Sequence, residues 1–115
     1  MTEETRFVAA RRLRIYIGES DHWNGLPLSA VLLDSLKDQG LAGATVFHGT
    51  AGFGCHRRMH AGTNEVLSIG MPVVIEVVDS AGKIDGALDG VRKMVGEGLL
   101  TVEDIWMERL TGTTK

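Results

Sequence analysis

The sequence predicts an α+β domain of the split βαβ type: a four-stranded antiparallel sheet with two helices on one face. Three observations carry the prediction. Apolar residues alternate at period two over residues 12–17, and a nearly unbroken β-branched run covers residues 71–79. Apolar residues also recur at spacings of three and four over two stretches that each end in glycine. These signals come in the order strand, helix, strand, long loop, strand, helix, strand, and two βαβ halves in about 100 residues close into this architecture.

Residues 1–10 are largely polar and charged and read as a flexible N-terminus. Leu13, Ile15 and Ile17 then alternate with Arg12, Arg14 and Tyr16, the signature of a strand with one buried face. A loop follows to Leu26, with Asp21, Asn24 and Gly25 as its loop residues. Pro27 suits a first helical turn, Leu28, Val31, Leu32 and Leu36 form an apolar stripe, and Gly40 is a natural stop. Ala44 to His48 reads as a short second strand. Residues 49–70 hold five glycines, two arginines and two histidines without a period. They read as one long loop, and loops of that length in small domains are functional or mobile.

The second half repeats the pattern. Val73, Val74, Ile75, Val77 and Val78, interrupted only by Glu76, predict a central strand nearly buried on both faces. Asp79 or Ser80 can cap a second helix with the stripe Ile84, Ala87, Leu88, Val91 and Val95. Gly86 and Gly90 each weaken that helix by about 1 kcal/mol relative to alanine. Gly96 ends it, Val102 to Leu110 is the last strand with Ile105 and Met107 on one face, and residues 111–115 are a polar tail. The domain therefore spans 11–110 with βαββαβ order, the ferredoxin-like sandwich. Its helices cover one face only. Tyr16, Val74 or Val78, and Trp106 are expected on the open face, and an uncovered, partly apolar sheet predicts an oligomer.

Composition bounds the function. A chain of 115 residues holds one domain, and 43% hydrophobic with 23% charged residues is a globular balance. A formal net charge of -3 argues against nucleic acid as a partner, which needs a basic face. The single cysteine, Cys55, excludes an intrachain disulfide and suits a reducing compartment. No apolar run approaches the roughly 18 residues that span a bilayer, and no signal-peptide core precedes residue 10. A cytoplasmic location is expected.

Chemistry concentrates in the glycine-rich segments. Bare backbone lets N–H groups approach an anion closely, so Gly52 and Gly54, and Gly96 and Gly98, could cradle phosphate; they could equally be turn glycines. Arg57 and Arg58 could grip phosphate or a partner, or simply solvate the loop. Cys55, His56 and His60, with His48 nearby, could hold zinc or copper, or be plain polar loop residues. Residues Glu19 to His22 could line a cleft or cap the first helix, and Trp23 and Trp106 suit packing or an interface. No nucleophile, base and orienting group are placed together by spacing, so an enzyme is not expected.

Three stretches carry a resemblance: LRIYIGESDHWNGLPL (13–28), ATVFHGTAGFG (44–54), and MPVVIEVVDS with VGEGLLTVEDI within 71–105. Together they resemble the bacterial PII-like proteins grouped as domain of unknown function 190, over about residues 13–110. The wider group includes the PII nitrogen regulators and CutA, which are trimers of the ferredoxin-like fold; PII proteins bind adenine nucleotides between subunits. Gly52, Phe53 and Gly54 resemble the Gly-Phe-Gly at the base of the PII signalling loop. Gly96, Glu97, Gly98 and Leu99 stand where many PII proteins read Gly-Asp-Gly-Lys, and Arg109 is the one arginine near the place of a C-terminal arginine pair. The resemblance implies a homotrimeric regulator without a cofactor that binds an adenine nucleotide or related small anion. It further implies that the 49–70 loop docks on a partner such as a membrane transporter or channel. Leu99 in place of lysine implies modest affinity for triphosphates and relatively better affinity for ligands with fewer phosphates. The alternative is a metal-binding, CutA-like tolerance protein.

Overall fold

The computed structural model describes residues 6–53, 60, 61 and 71–112. In chain order the elements are β1 (Val8–Gly18), β2 (His22–Trp23), β3 (Leu26–Pro27), α1 (Leu28–Asp38), β4 (Ala44–His48), β5 (Ala51–Gly52), β6 (His60–Ala61), β7 (Pro72–Asp79), α2 (Ala81–Val95) and β8 (Leu99–Met107). The main sheet has the order β4-β7-β1-β8, and every neighbouring pair is antiparallel. Leu28, Leu32 and Leu36 of α1 and Ile84, Ala87 and Val91 of α2 pack on Leu13, Ile15 and Ile17 of β1 and Val73, Ile75 and Val77 of β7. Both helices therefore cover one face of the sheet. Each fully buried aliphatic side chain contributes about 1.5–3 kcal/mol over its exposed state.

The boundaries differ from expectation where strand pairing, not side-chain periodicity, decides them. Val8, Ala9 and Ala10 are not part of a flexible N-terminus: they pair with Met107, Trp106 and Ile105 of β8. That pairing supplies backbone partners to a segment too short in large apolar residues to declare itself. The last strand correspondingly runs Leu99–Met107, not Val102 to Leu110. Pro27 sits just before α1, not in its first turn. Ser80 caps α2 by accepting from Lys83 N at 3.3 Å. Asp79, buried beside it, accepts from Ser80 N at 2.7 Å and from Ala42 N at 2.9 Å, so one carboxylate ties the α1–β4 connection to the start of α2. Asn24 (φ 51°) and Gly25 (φ 83°) turn β2 into β3 as a two-residue hairpin, whose Trp23 packs against the core.

The open face is ordered in rows across the strands. The first row is Phe47, Val74, Tyr16 and Leu99, one residue from each strand. The second is Thr45, Glu76, Arg14 and Thr101, with Arg14 Nε on Glu76 Oε1 at 3.1 Å. Val78, Arg12 and Glu103 follow, with Arg12 Nη2 on Glu103 Oε1 at 2.6 Å. Ala10 with Ile105 and Val8 with Met107 complete the face. Val74, Glu76 and Val78 are half-buried, so β7 is central but fully buried on its helix side alone. Trp106 does not belong to this face. It stands opposite Ala9 on the helix side, where it is 71% exposed.

Candidate functional site

Antiparallel pairing sends β1 and β4 in the same direction, so Gly18, His48, Pro72 and Leu99 all lie at one end of the sheet. Both glycine turns are attached there. On the β4 edge, Gly49 N donates to Pro72 O at 2.7 Å, and a Cβ on Gly52 would lie 3.0 Å from Pro72 Cγ. The bare backbone of Gly52 thus rests on the first residue of β7, while the following Phe53 is exposed. On the β8 edge, Gly96 closes α2 with φ 64°, a left-handed conformation that favours glycine, with open space around it. Glu97 is exposed at the crest of this turn. Gly98 has a different reason for being glycine: a Cβ there would meet Tyr16 O at 2.7 Å and Val95 Cγ1 at 2.8 Å. The two turns share an end but sit on opposite outer strands, about 14 Å apart at three strand spacings.

A third feature at this end was not singled out from spacing. His48 Nδ1 lies 4.0 Å from Glu19 Oε2, with both side chains partly open to solvent. Glu19 is placed by its own N–H, which donates to Met71 O at 2.8 Å. The turn behind it is pinned by Asp21, whose Oδ2 accepts from Gly18 N at 2.9 Å and whose carbonyl accepts from Leu28 N at 2.9 Å. His22 is fixed separately, its Nδ1 on Ser20 O at 2.6 Å. In a split βαβ sheet only one strand separates β1 from β4, which is the signal that could have paired Glu19 with His48.

Residues 10–107 match the family described as Uncharacterized ACR, COG1993, domain of unknown function 190. This chain belongs to the DUF190 family. It is 36% identical over 100 residues to a UPF0166 protein of Aquifex aeolicus, covering 87% of this chain and 94% of that one. It is 31% identical over 102 residues to a UPF0166 protein of Methanocaldococcus jannaschii, covering 84% and 90%. Among solved structures it is similar to CPII of Thiomonas intermedia, a nitrogen regulatory PII-like protein bound to ADP, AMP and bicarbonate. The TM-score is 0.71 at 19% identity, with 90% of this chain and 92% of the other covered. That likeness is one of fold, and it agrees with the sheet order and helix placement described above.

In this DUF190 chain the expected site residues are not all gathered. Arg109 follows the far end of β8, so about 26 Å of strand separates it from the Gly96–Gly98 turn of the same chain. Its guanidinium lies 4.0 Å from Met107 Sδ. Gly54, Cys55, His56, Arg57 and Arg58 lie outside the described residues, and His60 is described only through its strand pairing with Gly52. Among the described residues, no group of three or more His, Cys, Asp or Glu could hold a metal ion. Among them also, no helix is long and apolar enough to cross a membrane. A cavity of about 290 Å³ lies at the other end of the sheet, between Ala9, Arg11, Ala81, Asp104 and Trp106. There Arg11 spans Asp85 and Asp104 at 2.8 Å each, and the hydrogen bonds it donates to Asp104 and then to Asp85 hold its pKa above the usual value.

Proposed function

We propose that this DUF190 chain is a PII-like regulator that binds an adenine nucleotide, or a related small anion, in clefts between the subunits of a homotrimer. The observation that carries the reading is the attachment of both glycine turns to one end of the sheet, on opposite edges. Backbone N–H groups in such turns can be aimed at phosphate oxygens. Edges that are apart within one chain come together when one copy sets its β4 side against the β8 side of another. Arg109 would reach such a cleft only from a neighbouring copy. The apolar row Phe47, Val74, Tyr16 and Leu99 supports association, since Phe47 and Leu99 stand half exposed in the single chain. The likeness in fold to a protein bound to ADP, AMP and bicarbonate supports the ligand class.

The 49–70 segment leaves the sheet at Gly49 and returns at Met71, beside the proposed cleft. A ligand bound at its base can bias its conformation and so its docking on a partner. A membrane transporter or channel as that partner rests on the family resemblance alone. In this reading the ligand is sensed and not converted, and the chain is not an enzyme. A cytoplasmic place fits the single cysteine.

The test is calorimetry with AMP, ADP, ATP and bicarbonate, alongside light scattering. A trimer that binds ADP is expected. A stable monomer at micromolar concentration, or no nucleotide binding at millimolar concentration, overturns the proposal.

A further inference from the structure

Among the described residues, three dipeptides join an asparagine or aspartate to a glycine: Asn24–Gly25, Asp85–Gly86 and Asp89–Gly90. Such pairs share one chemistry. The glycine nitrogen, unshielded by a side chain, can attack the side-chain carbonyl carbon of the residue before it and close a five-membered imide. The fold separates the three. Asp85 and Asp89 lie inside α2, where helical hydrogen bonds engage the Gly86 and Gly90 N–H groups. Their carboxylates are held by Arg11 Nη1 at 2.8 Å and by Arg92 Nη1 at 3.0 Å. Asn24 and Gly25 instead stand exposed at the tip of the β2–β3 hairpin. Their φ angles of 51° and 83° are those of a two-residue turn that needs positive φ at both places, which is why Asn-Gly stands there. In such a turn the nitrogen of the second central residue takes no part in the closing hydrogen bond, and no atom lies within 4 Å of a Cβ built on Gly25. The other asparagine, Asn64, is followed by Glu65, whose side chain crowds its own nitrogen.

We propose that Asn24 is a site of spontaneous covalent modification, at which the hairpin tip converts to aspartyl and isoaspartyl forms. Gly25 N gives up its proton to solvent and attacks Asn24 Cγ. The C–N bond of the side-chain amide breaks and ammonia leaves, giving a succinimide. Water then opens the ring. Cleavage between Cγ and Gly25 N yields aspartate on an unchanged chain. Cleavage between the Asn24 carbonyl carbon and Gly25 N yields isoaspartate, whose main chain runs through Cβ and Cγ. One water enters, one ammonia leaves, and nothing is oxidised or reduced. The isoaspartyl form lengthens the backbone of a two-residue loop, so the register His22 to Pro27 and Trp23 to Leu26 cannot be kept. Trp23 packs against the core, and Leu28 N, at the start of α1, donates to Asp21 O at 2.9 Å at the foot of the hairpin. The isoaspartyl form therefore loosens Trp23 and the entry to α1. The inference stands apart from the ligand site proposed above and does not depend on it.

The experiment incubates the wild-type protein at mildly alkaline pH, folded and in urea. Mass spectrometry follows the peptide that carries residues 24 and 25, and enzymatic methylation of the isoaspartyl carboxyl group reads the second product. Folded wild type should lose the Asn24 amide progressively, with aspartate and isoaspartate appearing together, and faster as pH rises because the attacking nitrogen must be deprotonated. Asp85 and Asp89 should gain no isoaspartate while the protein is folded. Asn24→Gly keeps a turn that accepts positive φ at both places and removes the amide, so its unfolding temperature should not drift during the incubation. The isoaspartyl fraction, separated by chromatography, should melt below Asn24→Asp, which carries the same charge on an unaltered backbone. If folded protein keeps its Asn24 amide over the time in which the urea-unfolded chain loses it, the turn protects the pair and the inference is overturned. It is equally overturned if isoaspartate accumulates in folded protein at Asp85 or Asp89 as fast as at Asn24. An isoaspartyl fraction that melts together with Asn24→Asp overturns the loss of register.

Discussion

Replacing Gly98 by alanine should destabilise the domain without any ligand present. The added Cβ would stand 2.7 Å from Tyr16 O and 2.8 Å from Val95 Cγ1, closer than real Cβ contacts come. Tyr16 belongs to the central strand and pairs with Val74 on one side and Leu99 on the other, so its carbonyl cannot retreat without disturbing both ladders. Val95 can give only by turning within the partly buried end of α2. Overpacking of this kind costs about 1–3 kcal/mol. With each kcal/mol lowering Tm by roughly 3–6 °C in a domain of this size, a fall of several degrees is expected. Thermal unfolding followed by circular dichroism, at one fixed protein concentration because assembly contributes to stability, measures it. Gly96→Ala is the control: it meets no atom within 4 Å but carries φ 64°. Its cost should be about 1–2 kcal/mol, from backbone conformation alone. A Gly98→Ala protein that unfolds at or above the wild-type temperature would refute the steric reasoning. The contrast also bears on the ligand site, since loss of binding in a Gly98 variant would report a displaced strand as readily as a missing phosphate contact.

Three further outcomes follow from the same physics. Gly86→Ala, on an exposed position of α2 with nothing within 4 Å of the new Cβ, should stabilise the domain by about 1 kcal/mol in urea unfolding. Ser80→Ala should cost about 1 kcal/mol by removing the cap on Lys83 N. Burial alone would raise the Asp79 pKa, but the Ala42 and Ser80 N–H donors, with the fields of Arg109 and Lys83, outweigh it and hold the folded value below the ordinary one. Its ionised form therefore stabilises the fold above the ordinary carboxylate range, and that contribution is lost as pH falls through the lower folded value. Asp79→Ala should cost about 1–3 kcal/mol at neutral pH by stranding two donors, and should flatten the acid limb of stability against pH; an unchanged acid limb would count against the assignment.

Side-chain period was enough to read the architecture because each element of the sandwich has one buried face. The β1 alternation from Arg12 to Ile17 and the stripes of α1 and α2 all face the core that their spacing implies. What escaped was whatever long-range pairing decides. Val8 to Ala10 form a strand only because Ile105 to Met107 lie beside them. Trp106 falls on the helix side and not on the open face because its place is set by the pairing of β8 with β1, which the residues of β8 alone do not reveal. The β2–β3 hairpin did carry a local signal in Asn24–Gly25, but its strands are two residues each and hold no period. Site legibility divided in the same way. The glycine turns stand out in composition, whereas the meeting of Glu19 with His48 depends on the strand order, and spacing alone grouped His48 with the histidines and cysteine that follow it. The distinct reasons for Gly96 and Gly98, one a backbone angle and the other a close approach, are invisible until the carbonyl of Tyr16 is in place.

The position of β1 between β7 and β8 has a consequence for synthesis. β1 leaves the ribosome before both of the strands that become its neighbours, which begin at residues 72 and 99. Until those emerge, Leu13, Ile15 and Ile17 have no sheet to belong to, and β4 has no β7 to lean on. The nascent chain can form α1 and the Asn24–Gly25 hairpin locally, but its central strand waits until residues 72–107 have emerged. Folding dominated by such distant pairings is slow for its size and leaves strand edges unpaired in the interval. A chain stalled before residue 99 would keep one side of β1 bare, so the emergence of residues 99–107 is the step at which this domain commits to its structure.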